Sequence, residues 1–160
     1  MTRVGLGYDV HRFAAGRALV LGGVTIPWSH GLDGHSDADV LTHAVMDALL
    51  GAAGLGDIGV HFPPSDEQWR DARSLDLLAI VRDLLPDAWA IENIDATILA
   101  EAPKIGPYRE AIRATLAAAL GIAPERVNIK ATTNERMGFV GRGEGIAALA
   151  SAALTPSGDE

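Results

Sequence analysis

The three successive stretches "NIDATILA" (residues 93–100), "PYREAIRATLAAALG" (107–121) and "RVNIKATT" (126–133) decide how the chain reads. The outer two alternate apolar and polar residues as strands do. The middle one opens with Pro107 at a first-turn position and closes on Gly121, as a helix does. Strand, helix, strand is the signature of a βαβ unit. Beyond its second strand, "KATTNERMGFVGRGEG" (130–145) gathers Lys130, Thr132, Thr133, Glu135 and Arg142, where βαβ proteins tend to place ligands. Glu135 suits a hard cation bound through oxygen, such as Mg2+ or Mn2+. The glycines at 138, 141, 143 and 145 form no Walker motif, since no Lys-Ser/Thr pair follows. In "GIAALASAALTP" (145–156) propensity leans to helix, with a final strand as the alternative. Residues from about 156 to 160 read as a disordered tail to one domain spanning 1–160.

Outward on the other side, "GYDVHRF" (7–13) belongs to a segment in which Val4, Leu6, Tyr8 and Val10 take one parity and Gly5, Gly7, Asp9 and His11 the other. That is a strand with one buried face, on which Asp9 and His11 point the same way. They suit two ligands of one cation, or merely a polar face. "LVLGGVTIP" (19–27) reads as a hairpin around Gly22-Gly23. "HSDADVLTHAVMDALLGAAG" (35–54) reads as a helix capped by Ser36 with exits at Gly51 and Gly54. His43 on that helix is a third candidate ligand, and Asp plus two His would leave a fourth position of a Zn2+ site open. The alternative is a helix histidine bonded to Asp39 or Asp47. His35 and Ser36, at the expected helix start, offer an anion the unpaired N–H groups and positive dipole end.

"GLGDIGVHFPPSDEQWRDAR" (54–73) has no sustained period and reads as a long functional loop. Its Asp57, Gly59 and Asp66 suit the hydroxyls of a polyol, and equally an ordinary turn. "SLDLLAIVRDLLP" (74–86) reads as a helix capped by Ser74 and stopped by Pro86. "APKIGP" (102–107) sets Lys104 in a rigid turn that could face a flat base.

Composition narrows the classes of function. The 160 residues are 48% hydrophobic, enough for a core, but no apolar run reaches the roughly 20 residues of a membrane helix. With no cysteine, disulfides, thiolate metal sites and a Cys nucleophile are excluded, and no targeting segment is visible, so the cytoplasm is the expected location. A net charge of −8 opposes nucleic-acid binding and obliges any polyanionic ligand to meet built-in cations.

In the order and spacing of "GYDVH", "HSDADVLTHAVMDALLGAAGLGDIG", "FPPSD", "APK" and "KATTNERMGFVGRGEG", the chain resembles the 2-C-methyl-D-erythritol 2,4-cyclodiphosphate synthases of the non-mevalonate isoprenoid pathway. The resemblance implies a stand-alone, single-domain α+β fold, with a mixed β-sheet packed on helices, ferredoxin-like βαβ elements and a strand at 145–156. It implies a homotrimer whose sheets face the threefold axis, with sites between subunits. It implies Zn2+ on Asp9, His11 and His43, and a second divalent cation on Glu135. Asp9 and His11 also touch substrate. His35 and Ser36, Asp57, Ile58 and Gly59, and Phe62, Pro63, Pro64, Ser65 and Asp66 would hold phosphate and methylerythritol hydroxyls. Ala100, Pro103, Lys104, Ile105 and Gly106 would hold the cytosine nucleotide.

By the same resemblance, Thr132, Thr133, Asn134 and Glu135 would hold the diphosphate and second metal, while Phe139 and Arg142 make further contacts. His35 and Thr133 would stabilise the transition state. Pro64, Ser65, Asn134 and Gly106 differ from residues frequent in the family. The implied reaction cyclises 4-diphosphocytidyl-2-C-methyl-D-erythritol 2-phosphate with release of CMP, and an axial cavity near Phe139, Arg142 and Glu144 would accept an isoprenoid phosphate. A zinc phosphoester hydrolase and a non-catalytic trimeric binder are the competing readings.

Overall fold

The structure is a computed structural model and describes residues 1–158. A long first strand, β1 (Arg3–Ala14), precedes the hairpin β2 (Leu19–Leu21) and β3 (Val24–Ile26), a short β4 (Gly31–Leu32), and helices α1 (Val40–Ala53), α2 (Ile58–His61) and α3 (Ser74–Leu84). The βαβ unit follows as β5 (Trp89–Leu99), α4 (Arg109–Leu120) and β6 (Val127–Thr132); a one-turn α5 (Gly138–Gly141) and β7 (Gly145–Pro156) complete the fold. The main sheet has the order β4-β1-β7-β5-β6, with β5 and β6 parallel and the other pairs antiparallel. The fold is therefore single-domain α+β with a mixed sheet, the central α1 lying on β1 and β7 while α4 packs on β6. Residues 145–156 are a strand despite their helical propensity, because β7 lies between β1 and β5 and pairs with both.

Strand register separates two faces. Gly5, Gly7 and Asp9 stand beside Ala152, Ala150 and Ala148, which in turn stand beside Ile94, Ala96 and Ile98. This face carries the helices and the buried core. A Cβ on Gly7 would lie 1.8 Å from the Ala44 carbonyl oxygen, and one on Gly5 1.9 Å from that of Ala48. Those glycines let the α1 backbone lie directly on the strand. The apolar parity of β1 is on the other face, and its residues are exposed: Leu6 retains 79% of its accessible surface and Val4 66%. The covered face of β1 is thus the glycine and polar one, because α1 needs close approach more than it needs large side chains.

Several local expectations shift. α1 begins at Val40, capped by Asp39 and not Ser36, and ends on Gly54 in the left-handed conformation. Asp39 Oδ1 accepts from Gly22 N and Thr42 N, and Oδ2 from Gly23 N and Thr42 Oγ1, at 2.7–3.0 Å. One buried carboxylate thus closes both the helix start and the hairpin turn; burial pushes its pKa up against the four donors. Ser74 is the first residue of α3, with Arg73 at the cap position. The loop at 54–73 contains α2 and a 3-10 turn at Glu67–Trp69. Of the expected tail, Pro156 pairs with Trp89 in the sheet and Ser157 bonds to Asp87 and Ala88; residues 159–160 lie outside the described residues.

Candidate metal centre and its cavity

Close packing of α1 on β1 brings His43 over the strand at Asp9 and His11. Asp9 Oδ2 lies 2.9 Å from His11 Nε2 and 3.0 Å from His43 Nδ1, and the two ring nitrogens are 3.3 Å apart. No other group of three or more acidic or histidine side chains converges this way among the described residues. The ring nitrogens facing away are also engaged: His11 Nδ1 bonds the Asp33 carbonyl at 2.7 Å, and His43 Nε2 lies 2.9 Å from Ser74 Oγ and 3.2 Å from Ser36 Oγ. The His43 ring bonds neither Asp39 nor Asp47, whose carboxylates accept from Thr42 N and Ile58 N instead. Burial raises the Asp9 pKa, but the imidazoles of His11 and His43 beside it prevail and hold it at about 2. Burial lowers that of His11, yet the adjacent Asp9 carboxylate outweighs it and the net shift is upward.

One carboxylate oxygen and two imidazole nitrogens facing a common point, each ring oriented by a partner behind it, fit a divalent cation. Without one, two imidazole nitrogens and a carboxylate crowd together with too few protons to satisfy all three. The oxygen and nitrogen donors suit zinc and its neighbours among the transition metals.

The centre forms one wall of a cavity of about 220 Å³. Of the residues expected from sequence, Asp9, His11, His35, Ser36, His43, Ile58, Gly59, Phe62 and Pro64 line it. Met46, Trp69 and Leu77 line it as well and were not legible, since Met46 and Leu77 share the apolar pattern of core helix residues and Trp69 lies in a loop with no period. His35 Nε2 and Trp69 Nε1 are buried with no hydrogen-bond partner, a need that a ligand in the cavity could meet. Asp57 and Asp66 spend one oxygen each on capping, accepting from Val60 N and Gln68 N. Neither they nor Pro63 and Ser65 line the cavity.

His35 and Ser36 do not stand at a helix start, since α1 begins at Val40 and the Asp39 carboxylate caps that end by accepting from Thr42 N. Residues 100–106 and 132–135 line no part of the metal-centre cavity either. They meet one another at the carboxyl ends of β5 and β6, where Ala100 N donates to the Thr132 carbonyl. There Glu101 Oε1 accepts from Asn134 N and Arg136 N, Thr133 Oγ1 accepts from Glu135 N, and Glu135 and Arg136 adopt left-handed φ values of 51° and 59°. Glu101, which the motif reading passed over, organises this turn. Lys104 is exposed. Arg142 pairs with Glu144 at 2.9 Å, and Phe139 and Glu144 line a separate hollow with Tyr8, Val10 and Arg12.

The model of the YgbB family matches residues 2–155. The chain belongs to that family. A relative from Symbiobacterium thermophilum named 2-C-methyl-D-erythritol 2,4-cyclodiphosphate synthase is 63% identical over 94% of this chain and 97% of its own. The solved structure of the bifunctional IspDF from Campylobacter jejuni superposes with a TM-score of 0.95 at 42% identity, over 98% of this chain and 43% of that longer one. IspF from Plasmodium falciparum, solved as a CDP complex, gives 0.86 at 32% identity over 98% of this chain and 97% of that one. No helix among the described residues of this YgbB-family chain is long and apolar enough to cross a membrane.

Proposed function

We propose that this chain is a 2-C-methyl-D-erythritol 2,4-cyclodiphosphate synthase that converts 4-diphosphocytidyl-2-C-methyl-D-erythritol 2-phosphate to the cyclic diphosphate and CMP. The observation that carries the reading is the convergence of Asp9, His11 and His43 on one point at a cavity wall, in a chain of this family. The substrate brings its own nucleophile. An oxygen of the 2-phosphate bonds to the β-phosphorus, the bond from that phosphorus to the α,β-bridging oxygen breaks, and that oxygen leaves as part of CMP. A phosphate oxygen is ionised at neutral pH, so no protein base or nucleophile is needed, and the chain's task is positioning and charge neutralisation.

Asp9, His11 and His43 would hold zinc, or a similar divalent ion, with a position left for a phosphate oxygen. A cation bound there supplies positive charge that offsets the charge building on the departing phosphate. His35 and Ser36 would hold the phosphate end, Ser36 through its hydroxyl and His35 through the unpartnered Nε2, which could donate to a phosphate oxygen. Gly59 and Phe62 would close around the methylerythritol carbons.

The remaining half of the site would come from a neighbouring copy in a homotrimer. Residues 100–106 would present the cytosine pocket, and Thr132 to Glu135 the diphosphate contacts and the Mg2+ or Mn2+ ligand. Two features support this: those segments do not reach the cavity within one chain, and the outer sheet face exposes Val4, Leu6, Tyr8, Val10 and Leu149. Facing this surface across a threefold axis would also close the hollow lined by Phe139 and Glu144, with Arg142 paired to Glu144, around an isoprenoid phosphate. We assign the enzyme to the cytoplasm, in keeping with a chain free of cysteine.

The test is to incubate the purified chain with the substrate and divalent cations while following CMP and the phosphorus NMR spectrum of the other product. A cyclic diphosphate is expected; a linear one would assign the centre to water activation and overturn the reading.

A further inference from the structure

We propose that Asp37 and Ser74 are positioning residues for the metal centre: by two hydrogen bonds in series they hold the proton of His43 on Nε2 and so leave its Nδ1 lone pair facing Asp9 and His11. The inference rests on reading the triad as a divalent-cation site. It concerns neither a ligand of that site nor a group that touches substrate.

Ser74 Oγ lies between His43 Nε2, at 2.9 Å, and Asp37 Oδ1, to which its hydroxyl proton is donated. Both Asp37 oxygens act as acceptors: Oδ2 takes Ser74 N at 3.0 Å, and Oδ1 also takes Asp39 N at 3.2 Å. A hydroxyl has one proton, and here it is committed to the carboxylate. Ser74 Oγ can therefore meet His43 only as an acceptor, which requires a proton on Nε2. In a neutral imidazole the other nitrogen, Nδ1, then bears the lone pair, and Nδ1 is the atom 3.0 Å from Asp9 Oδ2 and 3.3 Å from His11 Nε2.

The relay is rigidly mounted. Ser74 is fully buried at the first position of α3. The segment bearing Asp37 is stitched to the one preceding α3 by Asp71 N to the His35 carbonyl at 2.9 Å and Asp37 N to the Ala72 carbonyl at 3.1 Å. From the opposite side, Arg17 donates to the Gly34 and Ser36 carbonyls at 2.8 and 2.6 Å. The same strap thus holds the His35-Ser36 loop and the orienting hydroxyl.

The relay makes a prediction that a merely structural role does not. Ser74→Ala removes the nearer acceptor and leaves Nε2 only Ser36 Oγ at 3.2 Å, which loosens the ring, whereas Asp37→Asn reverses the chain. The new amide would accept Ser74 N–H on its oxygen and donate from its nitrogen to Ser74 Oγ. The hydroxyl proton would then turn to His43 Nε2 and drive the ring proton onto Nδ1.

The experiment uses the full-length chain stripped of metal. Zinc affinity is measured by competition with a chromophoric chelator, and the His43 tautomer by nitrogen-15 NMR of histidine-labelled, metal-free protein. Wild type should show the Nε2–H form. Ser74→Ala should bind zinc roughly 10–100-fold more weakly with mixed tautomers, and Asp37→Asn more weakly still, with the Nδ1–H form dominant.

Wild-type affinity in both variants, or weakened binding with the Nε2–H form kept in both, would overturn the proposal. Should Ser74→Ala not fold, Asp37→Asn alone decides through its tautomer. Failure of the wild type to bind zinc would instead refute the metal reading of the triad, a result distinct from equal binding by wild type and variants.

Discussion

The two faces of β1 share one backbone and obey opposite rules. Inward, Gly5, Gly7, Asp9 and His11 are small or polar, yet they meet the central helix; outward, Leu6 at 79% and Tyr8 at 53% exposure are large and apolar, yet stay largely uncovered by the described residues. The inner face is governed by distance: a helix that must carry His43 to within 3.0 Å of Asp9 leaves no room for side chains along its path. The outer face is governed by area, and its exposed apolar surface is the one for which we propose a neighbouring copy as cover. Alternation along a strand therefore reports that its faces differ, without saying which one its own fold will cover.

The largest effect should come from the inner face's chemistry. His43→Ala removes one of three converging donors while leaving the α1–β1 contact, which rests on glycines and alanines. CMP release should fall by roughly 10²–10³-fold, as when one preorganised charge-stabilising group is lost, with circular dichroism and oligomeric state unchanged. Full activity in that variant would separate the inner face from catalysis. Gly7→Ala attacks the same face through geometry alone. Its Cβ would sit 1.8 Å from a helix carbonyl oxygen, so α1 must shift. We expect a loss of about 3 kcal/mol in urea unfolding, together with weakened zinc binding; a change within experimental error would mean that the helix is not pinned there.

What the sequence made legible follows the same division. The βαβ unit, the Gly22-Gly23 hairpin and the Gly54 and Gly121 exits rest on local rules of turn chemistry and periodicity, and they stand in the structure within a few residues. The motifs also marked Asp9, His11 and His43, which the fold draws together. The partners that orient them were not legible. Ser74 read only as a helix cap, and the link from Asp37 through it to His43 depends on contacts between segments more than thirty positions apart in the chain, as does the role of Glu101 at the other turn. Ser36 was misread as the α1 cap because the true cap, Asp39, follows three residues later and also closes a hairpin that no local rule connects to it.

The outer face offers a milder test. Leu6→Glu changes a side chain that is mostly exposed within one chain, so the stability of the isolated subunit should move by less than about 0.5 kcal/mol. If copies of the chain bury this surface together, the same change places charges in an apolar contact. Sedimentation should then show the assembly dissociating at concentrations where the wild type stays associated. An unaltered sedimentation profile would free the outer face from the role given to it here and shift the search for the remaining half of the site elsewhere.

The last prediction is a pH dependence, and its sign comes from the inner face. Asp9, held at about 2, stays ionised through the working range and adds no slope to metal binding there. His11 is raised above the ordinary histidine value by the Asp9 beside it. In the metal-free chain, the stabilisation that His11 gains as a cation is fully present below that ordinary value and is lost as pH rises through its higher folded value. Metal binding needs the neutral ring, so it runs the other way: zinc must displace that proton, and affinity should drop about tenfold per pH unit below the raised pKa. Zinc should therefore raise the melting temperature progressively more as pH increases toward the raised His11 pKa, with the decline setting in at a higher pH than a free histidine would give. A flat zinc-induced shift between pH 5 and 8 would mean that His11 does not give up a proton on binding, and one of the three inner-face donors would have to be struck from the centre.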